Sequence, residues 1–567
     1  MRFLFCCEFY YPSVGGVQEV MRQIAERMVQ RGHDITVVTT RLDERDFSEY
    51  NGVRIEEFDV SGNAVRGLSG EVDEYRKFVA EFKCDALLIK AAQQWTFDAL
   101  WPVLNKLSAR KIFIPCGFSG LYDPSYEDYF KEIPSILKRF DSLVFYATKY
   151  RDIDFAKHHG IKNFVVLPNG ACENEFSASP DPTFRKRYGI PDADFVFLTV
   201  GGLFSTMKGH RDVAEAFAKL DNGGQNATLI LNYHNPPLHK LVHKTSFSDI
   251  PRILYGKQTG SRRSNLLLTI NLNANEVRKR TGRSVYSLLE FMRYPKENKK
   301  LNSKITCLFD TGWYLSQYPD VAHSGVNPLQ HYIERGAREG RNPHPLFDTG
   351  WYLAQYPDVA HSGMNPLQHY IEYGASEGRE PGSAFCGHEY LIDYPDVAKA
   401  KCNPLQHYIE YGAAEGRKIP FPLAYWIAQA SKQRGKTVLK VDLPRKDLIQ
   451  AFKTADLFVF ASRTEYSPLV LFESAAGGTP FLSVPVGNAE EIAEMTGGGI
   501  ICPAEKDAFN NTRVDPDLLA QEMKKSMNSP ELLSTLGSQS HQIWKEKYTW
   551  SMIADLYEKV LIGSADW

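Results

Sequence analysis

The chain is 567 residues long, room for three or four domains, with 43% apolar and 24% charged residues, the balance of a soluble globular protein. Its formal net charge of -2 argues against a global nucleic-acid binder, so no nucleic-acid partner is expected. Nine cysteines without regular spacing point to free thiols in a reducing compartment, and no run of about eighteen apolar residues exists to predict a transmembrane helix.

Met1-Arg2-Phe3-Leu4-Phe5-Cys6-Cys7 is a short apolar run ending at Glu8, which reads as a first strand rather than a signal peptide. The loop Tyr11-Pro12-Ser13-Val14-Gly15-Gly16 follows. Then come apolar residues at helical spacing (Val17, Val20, Met21, Ile24, Ala25, Met28, Val29) and a strand from Ile35 to Thr39. Glycines at such a turn let the backbone approach a ligand, and the helix N-terminus presents free amides to an anion; a lone Gly-Gly serves equally as a tight turn. Further strands are expected at Ala86 to Ile89, Lys111 to Pro115, Leu143 to Tyr146 and Phe164 to Leu167, with a turn at Pro168-Asn169-Gly170. A second α/β domain opens with a strand from Phe195 to Val200, the loop Gly201-Gly202 to His210, a helix from Arg211 to Leu220 and a strand from Ala227 to Leu231. The alternation stops there. It resumes near Pro422 with helix 423–434, strand Val438 to Val441 and helix 445–454, and residues 480–484 and Ile500-Ile501 add further strands. One domain is therefore split by an insert of roughly 170 residues.

The insert has two parts. Arg252 to Lys304 holds 13 Lys and Arg against 3 Glu, with Val285, Leu288, Leu289 and Met292 at helical spacing beside Arg278, Lys279, Arg280 and Arg283. A basic amphipathic helix of this kind either lies on an anionic membrane surface or docks on the protein with its charges solvated. Beyond it runs a repeat with a period of 38 residues, marked by Phe309, Phe347 and Phe385 and by Tyr-Pro-Asp-Val-Ala starting at Tyr318, Tyr356 and Tyr394. Asn327-Pro328-Leu329-Gln330, repeated at 365 and 403, gives an N-cap, a proline at the first helical position and a capping-box-like Gln. Gly336, Gly374 and Gly412 are expected to end that helix, so each unit reads as a helical hairpin and the three as a small solenoid. Trp313, Tyr314 and Tyr318 are read as inter-repeat core in preference to a carbohydrate-stacking face. His331, His369 and His407 are read as packing or capping residues.

The stretch from Ala455 to Gly478 carries the chemistry. Leu457 to Ala461 has strand length, Ser467-Pro468 reads as an N-cap followed by proline at the first helical position, and Gly477-Gly478 reads as the stop. Glu465 then lies in a loop and Glu473 in the following helix, at the carboxyl end of a strand, where ligands of open α/β sheets bind.

Taken together, these motifs resemble the retaining family-4 glycosyltransferases of the GT-B fold: α/β, two Rossmann-like domains facing a cleft, here with an α-helical repeat insertion in the second. The resemblance covers about 1–235 and 420–560. Glu465 and Glu473 match the family's Glu-x7-Glu motif, with Asp456 and Ser462 on its flanks, and Gly487 and Glu491 match the loop and helix beyond it. Gly15-Gly16 match the pair that approaches the donor diphosphate, Lys208-Gly209 the Lys-Gly that binds it, and Asn169-Gly170 the Asn-Gly before the interdomain linker. Tyr548 to Ser551 with Ile553, Leu556 and Tyr557 resemble the C-terminal helix that crosses back onto the first domain. The 38-residue repeat resembles one attached to bacterial polysaccharide-synthesis glycosyltransferases.

The resemblance implies the following layout: an N-terminal domain at 1-175 with crossover helix 545-567, a donor-binding domain at 185-250 and 420-544, a basic segment at 251-307 and three repeats at 308-418. It implies Glu465 and Lys208 as catalytic residues, and Gly15, Gly16, Glu473, Ser467, Leu469, Gly201, Gly202 and Asn169 as donor-binding. No cofactor and no metal are implied, and the chain has no Asp-x-Asp motif in a suitable loop. The implied partners are a nucleotide-sugar donor and a glycan or lipid-linked glycan acceptor, with peripheral membrane contact through 252-304 and protein contacts through the repeats as further options. The implied location is cytoplasmic, with a peripheral position at the inner face of the plasma membrane as an option. Two departures stand out. The family has Arg six residues before the lysine where this chain has Gly202, and His at the level of Cys116; Arg463 or a basic residue of the insert is a candidate replacement for the missing charge. These departures support a competing reading, a catalytically degenerate GT-B scaffold acting through its repeats. A GT-B phosphorylase or epimerase shares the fold but not the motif order.

Overall fold

Eight strands form the first sheet: β1 (Arg2–Cys6), β2 (Asp34–Thr40), β3 (Glu49–Tyr50), β4 (Val53–Phe58), β7 (Ala86–Lys90), β8 (Arg110–Ile114), β9 (Ser142–Phe145) and β10 (Phe164–Val166), in the order β10-β9-β8-β7-β1-β2-β4-β3. All pairs are parallel except the short β3 against β4. A separate hairpin pairs β5 (Val60–Asn63) with β6 (Gly67–Gly70). This is a computed structural model, and it describes residues 1–203, 206–234, 305, 307–419, 421–507 and 510–564. The basic segment 252–304 lies outside the described residues.

The apolar run of β1 is explained by helices on both faces of a parallel sheet. Phe3, Leu4, Phe5 and Cys6 are all fully buried, but they alternate between two cores. Phe3 and Phe5 pack with Val20, Met21, Ile24 and Met28 of the Gly16–Gln30 helix and with Trp550, Ile553 and Tyr557 of the Trp550–Ile562 helix. Leu4 and Cys6 face the other way, toward Tyr75, Val79, Ile133 and Ile136. The last helix of the chain therefore completes the core of the first sheet, held further by Arg31 and His33, both on Glu558.

The second sheet has six strands, β11 (Phe195–Leu203), β12 (Ala227–His234), β13 (Lys436–Val441), β14 (Leu457–Phe460), β15 (Phe481–Ser483) and β16 (Gly499–Ile501), all parallel, in the order β13-β12-β11-β14-β15-β16. β12 and β13 are neighbours in the sheet, and the insert lies between them in sequence. The chain divides into two compact units, Met1–Lys244 with Ala430–Trp567, and Thr245–Gln429.

In the second unit, each repeat holds three short helices rather than the expected hairpin. In the first repeat these are Thr311–Gln317, Pro319–Ser324 and Pro328–His331, the last running on through Tyr332–Gly336 as a π-helical turn. Tyr318 joins the first two, and Pro319 starts a new helix because its ring fits only a first turn. Asn327 caps as expected, with Oδ1 accepting from Gln330 N at 2.9 Å. Gln330 does not complete a capping box; its Nε2 donates to Glu334 at 2.8 Å. Gly336 does not end the helix either. A Cβ there would collide with the Tyr314 hydroxyl, which bonds His331 Nδ1 at 3.0 Å, and the stop falls four residues later at Gly340, with φ +74°. The Tyr–His bond recurs at 3.0 Å in the other repeats, as Tyr352–His369 and Tyr390–His407, which makes the histidines packing residues. Tyr314, Tyr332, Tyr352, Tyr370 and Tyr390 are fully buried, and Phe309, Phe347 and Phe385 pack in the same core. Arg341 lies over the Tyr318 ring at 4.9 Å and pairs with Asp320, a clamp repeated by Arg379 and Arg417.

The glycines at 336, 374 and 412 are thus fixed by sterics with a tyrosine. Gly374→Ala is expected to lower stability by about 1–3 kcal/mol in urea titrations, the usual cost of overpacking. Gly350→Ala, where a Cβ meets nothing closer than Asp348 Oδ1 at 3.7 Å, is expected to stay within about 0.5 kcal/mol.

Candidate active site

The loop from Ser462 to Leu469 leaves the carboxyl end of β14 and meets loops at the carboxyl end of the first sheet. Tyr466 seats it. Its hydroxyl accepts from Tyr146 N at 2.9 Å, and its ring stands 5.3 Å from that of Tyr146 and 4.7 Å from that of Tyr150. Gly117, with φ +87°, tucks beneath: a Cβ would lie 3.0 Å from Tyr150 and 3.2 Å from Tyr466. Tyr150 OH donates to Glu465 O at 2.7 Å, and Asn169 Nδ2 to Ser467 O at 3.1 Å. Glu491 adds two contacts, accepting from Thr148 N at 2.9 Å and Lys149 N at 3.0 Å. Gly487 is needed at φ +59°, where a Cβ would collide with Tyr466 O.

Within this frame, Lys208 Nζ lies 2.6 Å from Glu465 Oε1, and Ser462 Oγ donates to the same oxygen at 3.0 Å. Lys208 is delivered by the turn before the His210–Lys219 helix, where Gly209 at φ +71° passes so close to Ala461 O that a Cβ could not fit. The two candidate catalytic residues are therefore brought together. Leu469 opens the Leu469–Gly477 helix, and its Cδ1 lies 4.0 Å from where a Gly16 Cβ would stand, so the Gly-Gly turn and the second-sheet helix approach each other. Gly15 is extended, a conformation open to any residue. Gly201 lies beneath Lys208, but what forbids a side chain there is the ring of His210, whose imidazole burial lowers to a pKa of about 4. Gly202 lies at the bulged end of β11, where its register with β12 shifts.

Two expectations need correction. Ser467 is not the N-cap of the Leu469–Gly477 helix; Pro468 holds that position and no side chain caps it. Ser467 Oγ is instead buried and, with Asn169 Oδ1, has no partner among the described residues. Arg463 cannot supply the missing phosphate-binding charge. It is 2% exposed and donates from Nε and Nη2 to the two Asp212 oxygens, at 3.0 Å each. Its carbonyl and amide tie the loop as well, to Thr512 N and Met207 O. Glu473 lies in the expected helix, buried, and its carboxylate pairs with Arg445 Nη2 at 2.6 Å.

One feature was not anticipated from sequence. Lys90, the last residue of β7, is buried below this floor, donates to Tyr146 OH at 2.8 Å and is pushed down to a pKa of about 8 by burial. Nothing marks it in sequence beyond a lysine ending an apolar strand. Cys116 stands at φ +58° in the loop after β8, its thiol raised to about 11 by burial, so it is a neutral thiol where the family pattern has a histidine.

Arg463→Met leaves Asp212 buried without its two-pronged partner and is expected to cost about 3–5 kcal/mol in urea denaturation. A loss under 1 kcal/mol would show the pair to be dispensable.

The segment 425–540 matches the family model described as glycosyl transferases group 1. No match was found among curated protein sequences. Several solved structures align over nearly the whole chain. Sucrose-phosphate synthase from Thermosynechococcus elongatus is 12% identical with TM-score 0.52, covering 99% of this chain and 100% of its own. HepE of Anabaena in complex with UDP-glucose is 12% identical with TM-score 0.52 and the same coverage. A glycosyltransferase from Rickettsia africae is 10% identical with TM-score 0.50, covering 100% and 99%. The chain thus has the GT-B fold, and its residues 425–540 match the glycosyl transferases group 1 model.

Proposed function

We propose that the chain is a retaining glycosyltransferase that moves a sugar from a nucleotide-sugar donor onto a growing bacterial surface polysaccharide or lipid-linked glycan. The observation that carries this reading is the 2.6 Å approach of Lys208 to Glu465 in a loop seated on the first sheet, a loop that Asn169 holds at Ser467 O and Gly16 meets at Leu469, with Glu473 about one turn further along the helix that Leu469 opens. Breaking the anomeric C–O bond leaves charge on the departing diphosphate. Lys208 and the backbone amides at Gly15-Gly16 stabilise that charge, the kind of preorganised electrostatics that contributes most to many enzymes. Glu465 then turns from the lysine to the donor-sugar hydroxyls. Glu473 accepts from the ribose hydroxyls, and the unpartnered Ser467 Oγ and Asn169 Oδ1 are polar groups that a donor or water would satisfy. The acceptor hydroxyl attacks on the face the diphosphate leaves, its proton passing to the departing diphosphate oxygen as the new C–O bond forms, with retention and without a metal. The HepE complexes hold UDP-glucose or UDP, which makes UDP-sugars the first donors to try.

A second reading, a degenerate scaffold, is favoured by one observation: Arg463 is committed to Asp212 and does not replace the arginine that Gly202 displaces. Hydrolysis and transfer with a panel of UDP-, GDP- and dTDP-sugars separates the two. Lys208→Ala and Glu465→Ala are each expected to cut turnover by about 10²–10³-fold, the usual loss of a charge-stabilising group, with circular dichroism unchanged and EDTA without effect on the parent. Unchanged rates in both variants overturn the assignment.

Among the described residues no helix is long and apolar enough to cross a membrane. A lipid-linked acceptor would bring the chain to the inner face of the membrane through 252–304. Flotation with anionic vesicles is expected to capture the full chain and lose a variant lacking 252–304; equal capture removes the membrane role.

A further inference from the structure

We propose that Arg445 is a positioning residue for donor binding, holding the Glu473 carboxylate ionised and aimed while anchoring it to the interdomain linker. This rests on the donor-binding reading of Glu473. Arg445 is the first residue of the Arg445–Thr454 helix, which follows β13 in the chain, and the Glu-x7-Glu pattern gives no hint of it. Its Nη2 lies 2.6 Å from Glu473 Oε1 and 2.6 Å from Glu175 Oε2, and its Nε lies 3.3 Å from Glu175 Oε1. Glu175 belongs to the short Glu173–Phe176 helix, six residues past Asn169, where the chain passes between the two sheets. One guanidinium therefore joins the carboxylate of the second-sheet helix to the linker.

The charges around Glu473 come from three elements besides its own: Arg445, Glu175 and, from the first helix of the chain, Glu19. Glu19 is itself held by Arg22 at 2.8 Å. Burial raises the Glu473 pKa, Arg445 opposes the rise, and Glu175 and Glu19 add to it. Without Arg445, the buried carboxylate would face only other carboxylates, and its hold on a proton would rise further. A protonated Glu473 has lost much of its capacity to accept from two vicinal hydroxyls. Arg445 is also where a substitution is tolerable: its side chain is 41% exposed, against 12% for Glu473. Arginine matters for its shape as well, since a planar fork reaches two carboxylates at once and lysine does so less well.

The test is the pH dependence of nucleoside diphosphate binding by the full chain, with UDP, GDP and dTDP as probes, between pH 5.5 and 9. The parent is expected to bind one of the ribonucleotides with nearly constant affinity above pH 6. Arg445→Met is expected to bind at least tenfold more weakly at pH 6 than at pH 8.5, recovering toward the parent as Glu473 ionises. Arg445→Lys is expected to restore the flat profile with a smaller loss. Should Arg445→Met not fold, Arg445→Gln with Glu175→Gln removes the stranded repulsion, and the same profile is read on it. A folded charge-removed variant whose profile parallels the parent's overturns the role of Arg445 and leaves the donor site standing. A parent that binds none of the three probes overturns the donor-binding reading and this proposal with it.

Discussion

The Tyr466 ring rests against Tyr146 and Tyr150, its hydroxyl takes the Tyr146 amide, and Gly117 leaves room for both. That seating brings the carboxyl ends of two parallel sheets together, which is where open α/β sheets bind ligands. Glu465, one residue before it, is fixed through its own carbonyl by Tyr150, so the side chain that meets Lys208 is aimed by contacts from the other sheet. Beneath the loop, Arg463 on Asp212 supplies rigidity from the opposite side. The cost of burying both charges is offset only because the fork geometry satisfies each oxygen. The site is thus strung between a tyrosine facing one sheet and an arginine sunk into the other.

The alternating βα pattern was legible wherever strands are buried on both faces, because such strands are short continuous apolar runs. β1, β2, β7 to β9 and β11 to β16 fall where that pattern places them, give or take two or three residues. The edge of the first sheet was not legible. Val53-Arg54-Ile55-Glu56-Glu57-Phe58 alternates in polarity, and β5 and β6 are short and glycine-punctuated, so neither carries a strong signal. At the site, the glycines, the lysine and the two glutamates were marked only through the resemblance, as matches to the family's motifs. The ion pairs around them were not, because Asp212 pairs with Arg463, and Arg445 joins Glu473 to Glu175, across long stretches of sequence that only the tertiary fold brings together.

The repeats show the same limit in a different form. Their period, caps and aromatic content were visible, yet the role of Gly336 was misread as a helix stop, since a glycine required by a neighbouring hydroxyl looks the same in sequence as one required by backbone angle. The third repeat illustrates how such a unit drifts. Glu380 stands where the preceding junction has Asn342, and burial raises its carboxyl to about 7. Both side chains accept from a backbone amide of the next repeat, Asn342 from Thr349 N and Glu380 from Gly387 N and His388 N. The hydrogen-bond geometry has been kept while the chemistry has changed.

β12 ends at His234 and its sheet neighbour β13 begins at Lys436, so about 200 residues separate two strands that share a full ladder. Closing so long a connection costs little at equilibrium, because loop entropy grows only with the logarithm of length. The consequence falls on biosynthesis. At translation rates of about 5–20 residues per second, the partner strand emerges roughly 10–40 s after β12, and through that interval the nascent second sheet has a bare edge open to whatever strand arrives first.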